Sequence, residues 1–389
     1  MEKIVCLSTS NYHPYPTRKQ NVMNRLSDAE ILYFDPPITY LAPFKDKSAG
    51  TRLSAYKKPG EQVRANLTVY ALPPVLPFAN KFRWINRVNQ KKLSRYIKAR
   101  LAAHGFVQPH LWCYSPSSAD ILPHIPCKGL IYDCVDRHSA YTGLINPQVV
   151  DVMEKDLATA ADMVFCTAQG LFETLSRYNP RTYLIPNGAA YELFSQAAGE
   201  NPARDPKRPV FGFVGMLQDC IAYELLPALA DAFPQGEIRL IGRVMPGVDI
   251  ALLKEKANIK LLGLMPQDKL PAQMRNFDVC LNLFCPGRLS KDVSPLKFYE
   301  YLATGKPVVS TPEPRQVMDY ADIVYIADGI DDFIAKCRLA LSEDDAEKRK
   351  KRMAAAKAAS WDNRVKQMEN YLGEAGIFGK TEGTHENRE

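Results

Sequence analysis

Residues suited to bind a phosphate group are concentrated in one stretch of the second half of the chain, residues 291–310 (KDVSPLKFYEYLATGKPVVS). Ser294 is a good N-cap and proline is favoured at the first helical position, so we predict a helix from Pro295 to near Gly305. The free N–H groups and positive dipole end of such a helix start bind anions, and Lys297 adds a full charge. The segment is therefore predicted to bind a diphosphate.

Two acidic residues extend this predicted site on either side of Lys297. Glu300 lies one turn further along the helix, where a carboxylate can accept hydrogen bonds from ribose hydroxyls. Asp292, eight residues before Glu300, is expected in the loop before the helix, beside the group that a bound diphosphate carries. A plain capped helix start with a solvated lysine has the same local pattern, so the motif alone leaves both interpretations open.

A second group of candidates follows an apolar strand in the first half, within residues 129–138 (GLIYDCVDRH). Asp133 and Asp136 are expected at the carboxyl edge of a parallel sheet, where ligands of such sheets bind. Transfer of a group to a hydroxyl needs a base that removes the hydroxyl proton, and a positioned carboxylate can do this. We predict that Asp136 is this base and that His138 is the second candidate. The alternative is an Asp that caps a turn or binds Arg137.

The loop after the first strand, residues 8–20, is expected to open on the same edge. Arg18 and Lys19 would hold an anionic acceptor there, or the loop would simply cap the next helix. Arg18 and His138 are therefore the predicted acceptor-side residues, and His13 is expected to be structural.

A basic segment, residues 80–101, holds eight Lys and Arg and no acid, and its apolar residues fall partly on one face. Such a helix can lie on an anionic membrane surface with Trp84 at the level of the headgroups. The alternative is a surface helix that uses its apolar stripe for the core.

Charge is distributed unevenly over the 389 residues. Residues 1–195 hold 23 Lys and Arg against 15 Asp and Glu, whereas the remainder holds 27 against 28. A basic first half favours an anionic partner, such as a membrane surface, an acidic glycan, a pyrophosphate-linked acceptor or a nucleic acid. Nucleic acid is disfavoured because the sequence has no helix-turn-helix, zinc or aromatic-basic motif.

Cysteine usage and hydropathy predict the location of the protein. Nine cysteines without a C-x-x-C pair, several in apolar runs, indicate reduced thiols of a cytoplasmic protein. The sequence has neither a signal-peptide pattern nor an apolar run long enough to span a bilayer, so membrane contact is expected to be peripheral, at the inner face. Without a D-x-D or similar cluster, we predict metal independence and no cofactor besides the substrate nucleotide sugar.

Short apolar runs alternate with helical patterns, which predicts an α/β fold of two doubly wound, Rossmann-like domains facing across a cleft. Predicted strands of the first half are residues 3–8, 30–34, 67–72, 111–114, 129–133, 163–167 and 182–185. Those of the second half are residues 210–214, 237–241, 259–262, 279–283, 307–310 and 323–326.

The expected domain order places acceptor binding first and nucleotide-sugar binding second. Residues 1–198 form the first domain, the polar, Pro-rich residues 199–209 the linker, and residues 210–360 the second domain. Residues 361–376 are expected to form a helix that returns to the first domain, and residues 377–389 a flexible tail.

The run SPLKFYEYLATGKPVVST resembles the donor-site helix of GT-B glycosyltransferases of the family 4 group. It is most similar to the subgroup that includes a teichuronic-acid biosynthesis glycosyltransferase. Asp292 and Glu300 resemble that group's two acidic residues separated by seven, with Asp in place of the first Glu. Further runs resemble the group in the expected order, namely YDCVDRHSAYTG, ADMVFCTAQGLFETLSRYNPRTYLIPNGAAYELF, IRLIGRV and KLLGLMPQDKLPAQMRNFDVCLNLF.

The resemblance adds Gly215, Arg243 and Met265 to the predicted donor-binding residues, beside Ser294, Lys297, Glu300 and Asp292. Family members often have an Arg and a Lys in the loop after the first strand of the second domain, but residues 215–221 here contain no basic residue. Lys297 is then expected to carry more of the phosphate charge, with Arg243 or Arg288.

The resemblance implies a glycosyltransferase that moves a sugar from a UDP-sugar to a saccharide acceptor, lipid-linked or free, in cell-surface polysaccharide synthesis. The family 4 likeness favours retention of stereochemistry. A shorter likeness around Asp136 to a xanthan-pathway glucuronosyltransferase, an inverting enzyme, favours inversion, so the stereochemistry stays open. A UDP-sugar epimerase on the same fold and a non-catalytic nucleotide-sugar or anionic-surface binder are the alternatives.

Overall fold

The computed structural model describes residues 1–45, 47–199, 205, 207–285, 287, 290–343 and 345–379. Two compact units are present: Met1–Ile185 with Val365–Glu389, and Pro186–Arg364. The second unit begins earlier than the predicted linker because Pro186 is followed by a segment held by that unit. The N–H of Asn187 donates to Ser294 Oγ over 3.0 Å, and the N–H of Trp361 donates to the Ala189 carbonyl over 3.0 Å. Most of residues 199–209 lie outside the described residues.

The first unit contains an eight-stranded sheet in the order β3-β4-β2-β1-β5-β6-β7-β8, in which all pairs are parallel except β3 with β4. Its strands are β1 Glu2–Leu7, β2 Ala29–Asp35, β3 Glu61–Arg64, β4 Leu67–Ala71, β5 His110–Cys113, β6 Gly129–Cys134, β7 Met163–Cys166 and β8 Thr182–Leu184. Each strand predicted in the first half is present within one or two residues, and β3 is additional.

The second unit contains a six-stranded parallel sheet in the order β11-β10-β9-β12-β13-β14. Its strands are β9 Val210–Val214, β10 Glu237–Ile241, β11 Ile259–Gly263, β12 Val279–Asn282, β13 Val308–Ser310 and β14 Tyr325–Ile326. Strand β12 is buried along its whole length and β9 from Phe211 onward, because helices cover both faces of a parallel sheet.

Helices follow most strands, as crossover connections require. The α-helices of the described residues are α1 Arg18–Met23, α2 Ala42–Lys45, α3 Arg83–Ala103, α4 Pro147–Ala160, α5 Gln169–Leu175, α6 Tyr191–Phe194, α7 Leu225–Ala232, α8 Ala251–Lys254, α9 Leu270–Met274, α10 Leu296–Ala303, α11 Ile330–Glu343, α12 Ala346–Ala358 and α13 Trp361–Glu374. None of the helices formed by the described residues is both long and apolar enough to cross a bilayer.

The C-terminal helix α13 starts in the second unit and joins the first from Val365 onward. Tyr371 of this helix stacks on Tyr183, with ring centroids 3.9 Å apart. Beyond the helix, Phe378 is buried against the His110 ring, with centroids 5.0 Å apart. Residues 377–379 of the predicted flexible tail are therefore packed on the first unit, and residues 380–389 lie outside the described part of the chain.

Strand order determines where each unit can bind a ligand. In both sheets the order reverses beside the first strand, between β1 and β5 in the first unit and between β9 and β12 in the second. In open α/β sheets ligands bind at the carboxyl ends of the strands at such a reversal, the topological switch point.

Candidate functional site

The start of helix α10 differs from the prediction by one residue. The helix begins at Leu296, and Pro295 is its N-cap. Ser294 does not cap the helix, because its hydroxyl accepts the N–H of Asn187 and its carbonyl accepts the Asn187 side-chain amide over 2.7 Å. Ser294 is thus a buried residue that attaches the start of α10 to the segment entering the unit.

Lys297 lies at the switch point of the second unit. Its Nζ is 4.0 Å from the ring centroid of Phe213 in β9 and 4.5 Å from that of Phe284, which follows β12. The two rings hold the ammonium by cation–π contacts. Burial lowers the pKa of Lys297 to about 7, and the neighbouring Cys220 and Glu300 only partly oppose this. The charge of this lysine is therefore incompletely stabilised by the protein itself.

Two glycines make the space beside Lys297 accessible. Gly215 follows β9 with φ +149°, and a Cβ there would lie 3.1 Å from Lys297 Nζ. Gly242 follows β10 with φ +153°, and a Cβ there would lie 1.9 Å from the Gly215 carbonyl oxygen. The two loops therefore pack backbone against backbone. Gly215 was predicted, whereas Gly242 was missed although the run LIGRV places a glycine directly after a strand.

Glu300 lies one turn after Lys297 and is half-buried. Its Oε1 accepts a hydrogen bond from Gln267 Nε2 over 3.3 Å. Burial raises the pKa of Glu300 to about 8, while the Gln267 bond and the charge of Lys297 lower it. Gln267 was not predicted; it follows β11 by four residues and is placed two residues after the predicted Met265, which is partly buried.

A buried tyrosine attaches α10 to the sheet. The hydroxyl of Tyr301 accepts the N–H of Val214 over 2.7 Å and lies 3.2 Å from the Val214 carbonyl oxygen. Val214 is the residue before Gly215, so this contact fixes the distance between the helix and the glycine loop.

Two of the three remaining donor candidates, Asp292 and Arg243, lie in the described part of the chain. Asp292 is buried in the 3-10 turn Ser290–Asp292. Arg243 follows Gly242 and its side chain is exposed, with Nη2 3.9 Å from the Met245 sulfur. Arg288 lies outside the described residues.

Arg18 does not have the predicted acceptor-side role. It is only 2% exposed, and its Nε donates to Asp133 Oδ1 and Oδ2 over 2.9 and 3.0 Å. Its Nη1 donates to the Ile185 carbonyl over 2.9 Å. This correction follows from burial, because a guanidinium paired inside the unit cannot hold an acceptor. Asp133, the other carboxylate of the motif, is fully buried in the same ion pair.

Asp136, the predicted base, is partly exposed and follows β6. Its Oδ2 accepts the Tyr141 hydroxyl over 2.9 Å. Burial raises the pKa of Asp136, whereas the charge of Lys19 and the Tyr141 bond lower it. A carboxylate with a raised pKa that is still reachable from solvent is suited to take a proton from a hydroxyl.

His138 is buried beside Asp136, with its ring 5.4 Å from that of Tyr141. Burial and the charge of Lys19 lower the pKa of His138 to about 4, and a hydrogen bond to the Tyr114 backbone opposes this. His138 is therefore neutral near pH 7, and its low pKa makes it a weak base.

The basic helix α3 combines features of both interpretations. Ile85, Leu93, Ile97 and Leu101 are buried and belong to the first unit. A separate stripe at spacings of three and four residues is exposed: Trp84, Val88, Lys91, Arg95 and Lys98. Trp84 is 64% exposed, so the helix has an aromatic and cationic outer face as well as a core face.

Metal binding is not indicated in the part of the chain that the structure describes. Within the described residues, no group of three or more His, Cys, Asp or Glu side chains is arranged to hold an ion. Metal independence remains a prediction.

The sequence is similar to a protein family and to a bacterial protein. A family model described as glycosyl transferase-like matches residues 223–370. TuaH of Bacillus subtilis (strain 168), whose inferred role is that of a teichuronic acid biosynthesis glycosyltransferase, is 26% identical over 264 residues. The match covers 63% of this chain and 66% of TuaH, slightly less than two thirds of its length.

Solved structures share the fold over nearly the whole chain. Sucrose-phosphate synthase from Thermosynechococcus elongatus has a TM-score of 0.69 at 15% identity, over 97% of this chain and 100% of that one. HepE from Anabaena, in complex with UDP and glucose, has a TM-score of 0.61 at 15% identity, over 96% and 99%. The predicted GT-B fold class is confirmed, and so is the resemblance to GT-B glycosyltransferases.

Proposed function

We propose that the chain transfers a sugar from a UDP-sugar to a saccharide acceptor. The position of Lys297 at the switch point of the second unit, beside the glycine loops and the first turn of α10, carries this proposal. A diphosphate next to the ammonium would supply the counter-charge that the protein does not provide, and the helix start would add N–H donors. The solved complex of HepE with UDP and glucose supports this choice of ligand.

The nucleoside is proposed to be held by Glu300. In its ionised form Glu300 accepts hydrogen bonds from the ribose hydroxyls, and Gln267 orients the carboxylate. The hydroxyl donors of ribose would favour the charged form and so lower the raised pKa of Glu300. In this proposal Lys297 binds the diphosphate and Glu300 binds the ribose.

Asp136 is proposed to be the general base. The proton of the acceptor hydroxyl passes to its carboxylate while that oxygen bonds to the anomeric carbon and the bond from this carbon to the UDP oxygen breaks. The released UDP carries the electron pair of the broken bond. Tyr141 holds the carboxylate in place through its hydroxyl.

We further propose that the exposed stripe of α3 binds an anionic membrane at the cytoplasmic face, where a lipid-linked acceptor would be available. Lys91, Arg95 and Lys98 would contact anionic headgroups, and Trp84 would lie at their level. A role in cell-surface polysaccharide synthesis is consistent with the inferred role of TuaH.

Binding to vesicles tests the membrane proposal. The protein should sediment with anionic vesicles at low salt and leave them as salt rises, since each cationic residue contributes about 1 kcal/mol near such a surface and is screened. Changing Lys91, Arg95 and Lys98 to Gln should weaken binding. Lys92 is left unchanged because its Nζ donates to the Tyr40 hydroxyl over 2.7 Å. If the protein does not bind anionic vesicles at low salt, the membrane proposal is wrong and α3 has a purely structural role.

A thermal-shift screen of nucleotide sugars tests the donor proposal. A ligand at 100 times its dissociation constant stabilises the folded state by about 2.7 kcal/mol, so UDP-sugars should raise the melting temperature more than GDP- or ADP-sugars. Lys297→Met should remove the shift. A screen in which no nucleotide sugar stabilises the protein would contradict the proposal. An epimerase would share this binding, and only dependence of UDP release on a saccharide acceptor separates the two activities.

A further inference from the structure

The first unit has a lysine at its own switch point. Lys19 lies on α1, which follows β1, and its Nζ is 5.7 Å from the ring centroid of Tyr114, which follows β5. The arrangement parallels that of Lys297 over the rings of Phe213 and Phe284 in the second unit. Lys19 is only 8% exposed, and burial lowers its pKa.

Two buried polar atoms around this switch point have no hydrogen-bond partner among the described residues, namely the hydroxyl of Tyr114 and the Nε2 of His138. The ammonium of Lys19 lies beside the Tyr114 ring. The side chains of Lys19, Tyr114 and His138 are each at least nine-tenths buried. Buried polar groups in folded proteins are nearly always paired, so two unpaired groups beside a buried ammonium indicate a binding site.

These three side chains are neighbours. His138 hydrogen-bonds to the Tyr114 backbone, and its Nε2 is the ring nitrogen that stays unpaired. The nearby charge of Lys19 lowers the pKa of His138. The charge of Asp136 raises the pKa of Lys19, but the two residues form no ion pair within the described structure. The Oδ2 of Asp136 instead accepts the Tyr141 hydroxyl. The neighbouring Arg18 is paired with Asp133. Within the described residues, Lys19 is therefore a buried ammonium without a direct counter-ion.

We propose that Lys19, Tyr114 and His138 bind a carboxylate or phosphate group of the acceptor sugar together with an adjacent hydroxyl. Lys19 and the Tyr114 hydroxyl donate to the anionic group, and neutral His138 accepts from the sugar hydroxyl through Nε2. A neutral sugar would leave the ammonium uncompensated, which disfavours it. The assignment rests on the proposed transferase function and specifies its acceptor, whose reacting hydroxyl would then lie near Asp136.

The test compares three sugars of similar size by calorimetry on the full chain: glucuronate, glucose 6-phosphate and glucose, with inorganic phosphate as a fourth ligand. At least one anionic sugar should bind tenfold or more tightly than glucose. Whichever of glucuronate and glucose 6-phosphate binds more tightly shows whether the site recognises a carboxylate or a phosphate group. Phosphate binding as tightly as glucose 6-phosphate would show that the site does not recognise the sugar and would overturn the assignment of His138.

Variants separate the site from general effects. Lys19→Met should reduce binding of the anionic sugar to the level of glucose, whereas Lys58→Met, which removes an exposed lysine of the same unit, should leave it unchanged. Tyr114→Phe keeps the ring beside Lys19, removes only the hydroxyl, and should weaken the anionic sugar several-fold. It provides a second reading if Lys19→Met does not fold. Equal binding of all three sugars, or an anion preference that survives both variants, would overturn the proposal.

Failure of this proposal is distinguishable from failure of the transferase function. UDP binding depends on the second unit, so a protein that binds UDP and releases it from a UDP-sugar with neutral acceptors only would retain the function and lose this inference. A protein that binds anionic sugars through Lys19 but never turns over a UDP-sugar would retain this inference and lose the transferase function.

Discussion

The proton on Lys297 provides a quantitative test of the donor site. Its pKa is lowered to about 7, and a diphosphate beside it would raise this pKa toward the usual value of about 10.4. A group whose pKa rises on binding supports full affinity below its free pKa and loses it as pH rises toward the bound pKa. UDP affinity should therefore fall about tenfold per pH unit above 7, or about 100-fold by pH 9, which is about 2.7 kcal/mol.

Glu300 titrates in the same range with the opposite effect. Its pKa is raised to about 8, so a rising pH produces the carboxylate that binds ribose and partly masks the loss at Lys297. The measurement is therefore made in the Glu300→Gln variant, which cannot ionise. Removing this carboxylate also removes a charge that raises the pKa of Lys297, so the loss of affinity should begin at or below pH 7.

Calorimetric UDP titrations from pH 7 to 9 give the profile, because the phosphates of UDP, with a last pKa of about 6, stay ionised throughout. The matched control is the double variant with Lys297→Met, whose weaker affinity should be flat over the same range. A flat profile with Lys297 present, or an unchanged slope without it, would refute the assignment.

Three further outcomes follow from the same geometry. At pH 7, Lys297→Ala should weaken UDP binding by about 2–3 kcal/mol, the usual worth of a charge-assisted hydrogen bond, and unchanged calorimetric affinity would remove it from the site. Glu300→Ala should weaken UDP more than free pyrophosphate, since its partner is ribose; equal losses would contradict that role. Gly242→Ala should reduce UDP affinity at least tenfold, because its Cβ would lie 1.9 Å from the Gly215 carbonyl oxygen. Gly287→Ala, with no atom within 4 Å of the added carbon, is its control, and equal affinities for the two variants would contradict the packing argument.

The strands could be predicted because a parallel sheet covered on both faces requires nearly continuous apolar runs. Strand β3 was missed because it is a polar, antiparallel edge strand, and such a segment lacks the apolar signal. Helix α10 and the lysine on it could be predicted from local capping chemistry, although its first residue shifted because Ser294 is bonded to Asn187 instead.

Partners distant in sequence explain what could not be predicted. Arg18 and Asp133 are 115 residues apart, and no local pattern shows that their charges pair inside the unit. Gln267 reaches Glu300 across 33 residues for the same reason. Arg18 and the adjacent Lys19 were both predicted to hold an anionic acceptor. Only the structure shows that Arg18 pairs with Asp133, whereas Lys19 lies over the Tyr114 ring.

Acceptor-dependent release of UDP from a UDP-sugar, compared between the native chain and Asp136→Asn, tests the central claim most directly. The Asn variant keeps the shape of the side chain and removes the proton acceptor. Turnover should fall by roughly 10²–10⁴-fold, the usual contribution of general-base catalysis, while UDP affinity and melting temperature change little. No UDP release by the native chain with any saccharide acceptor would contradict the transferase function, and near-normal turnover by Asp136→Asn would show that the base lies elsewhere.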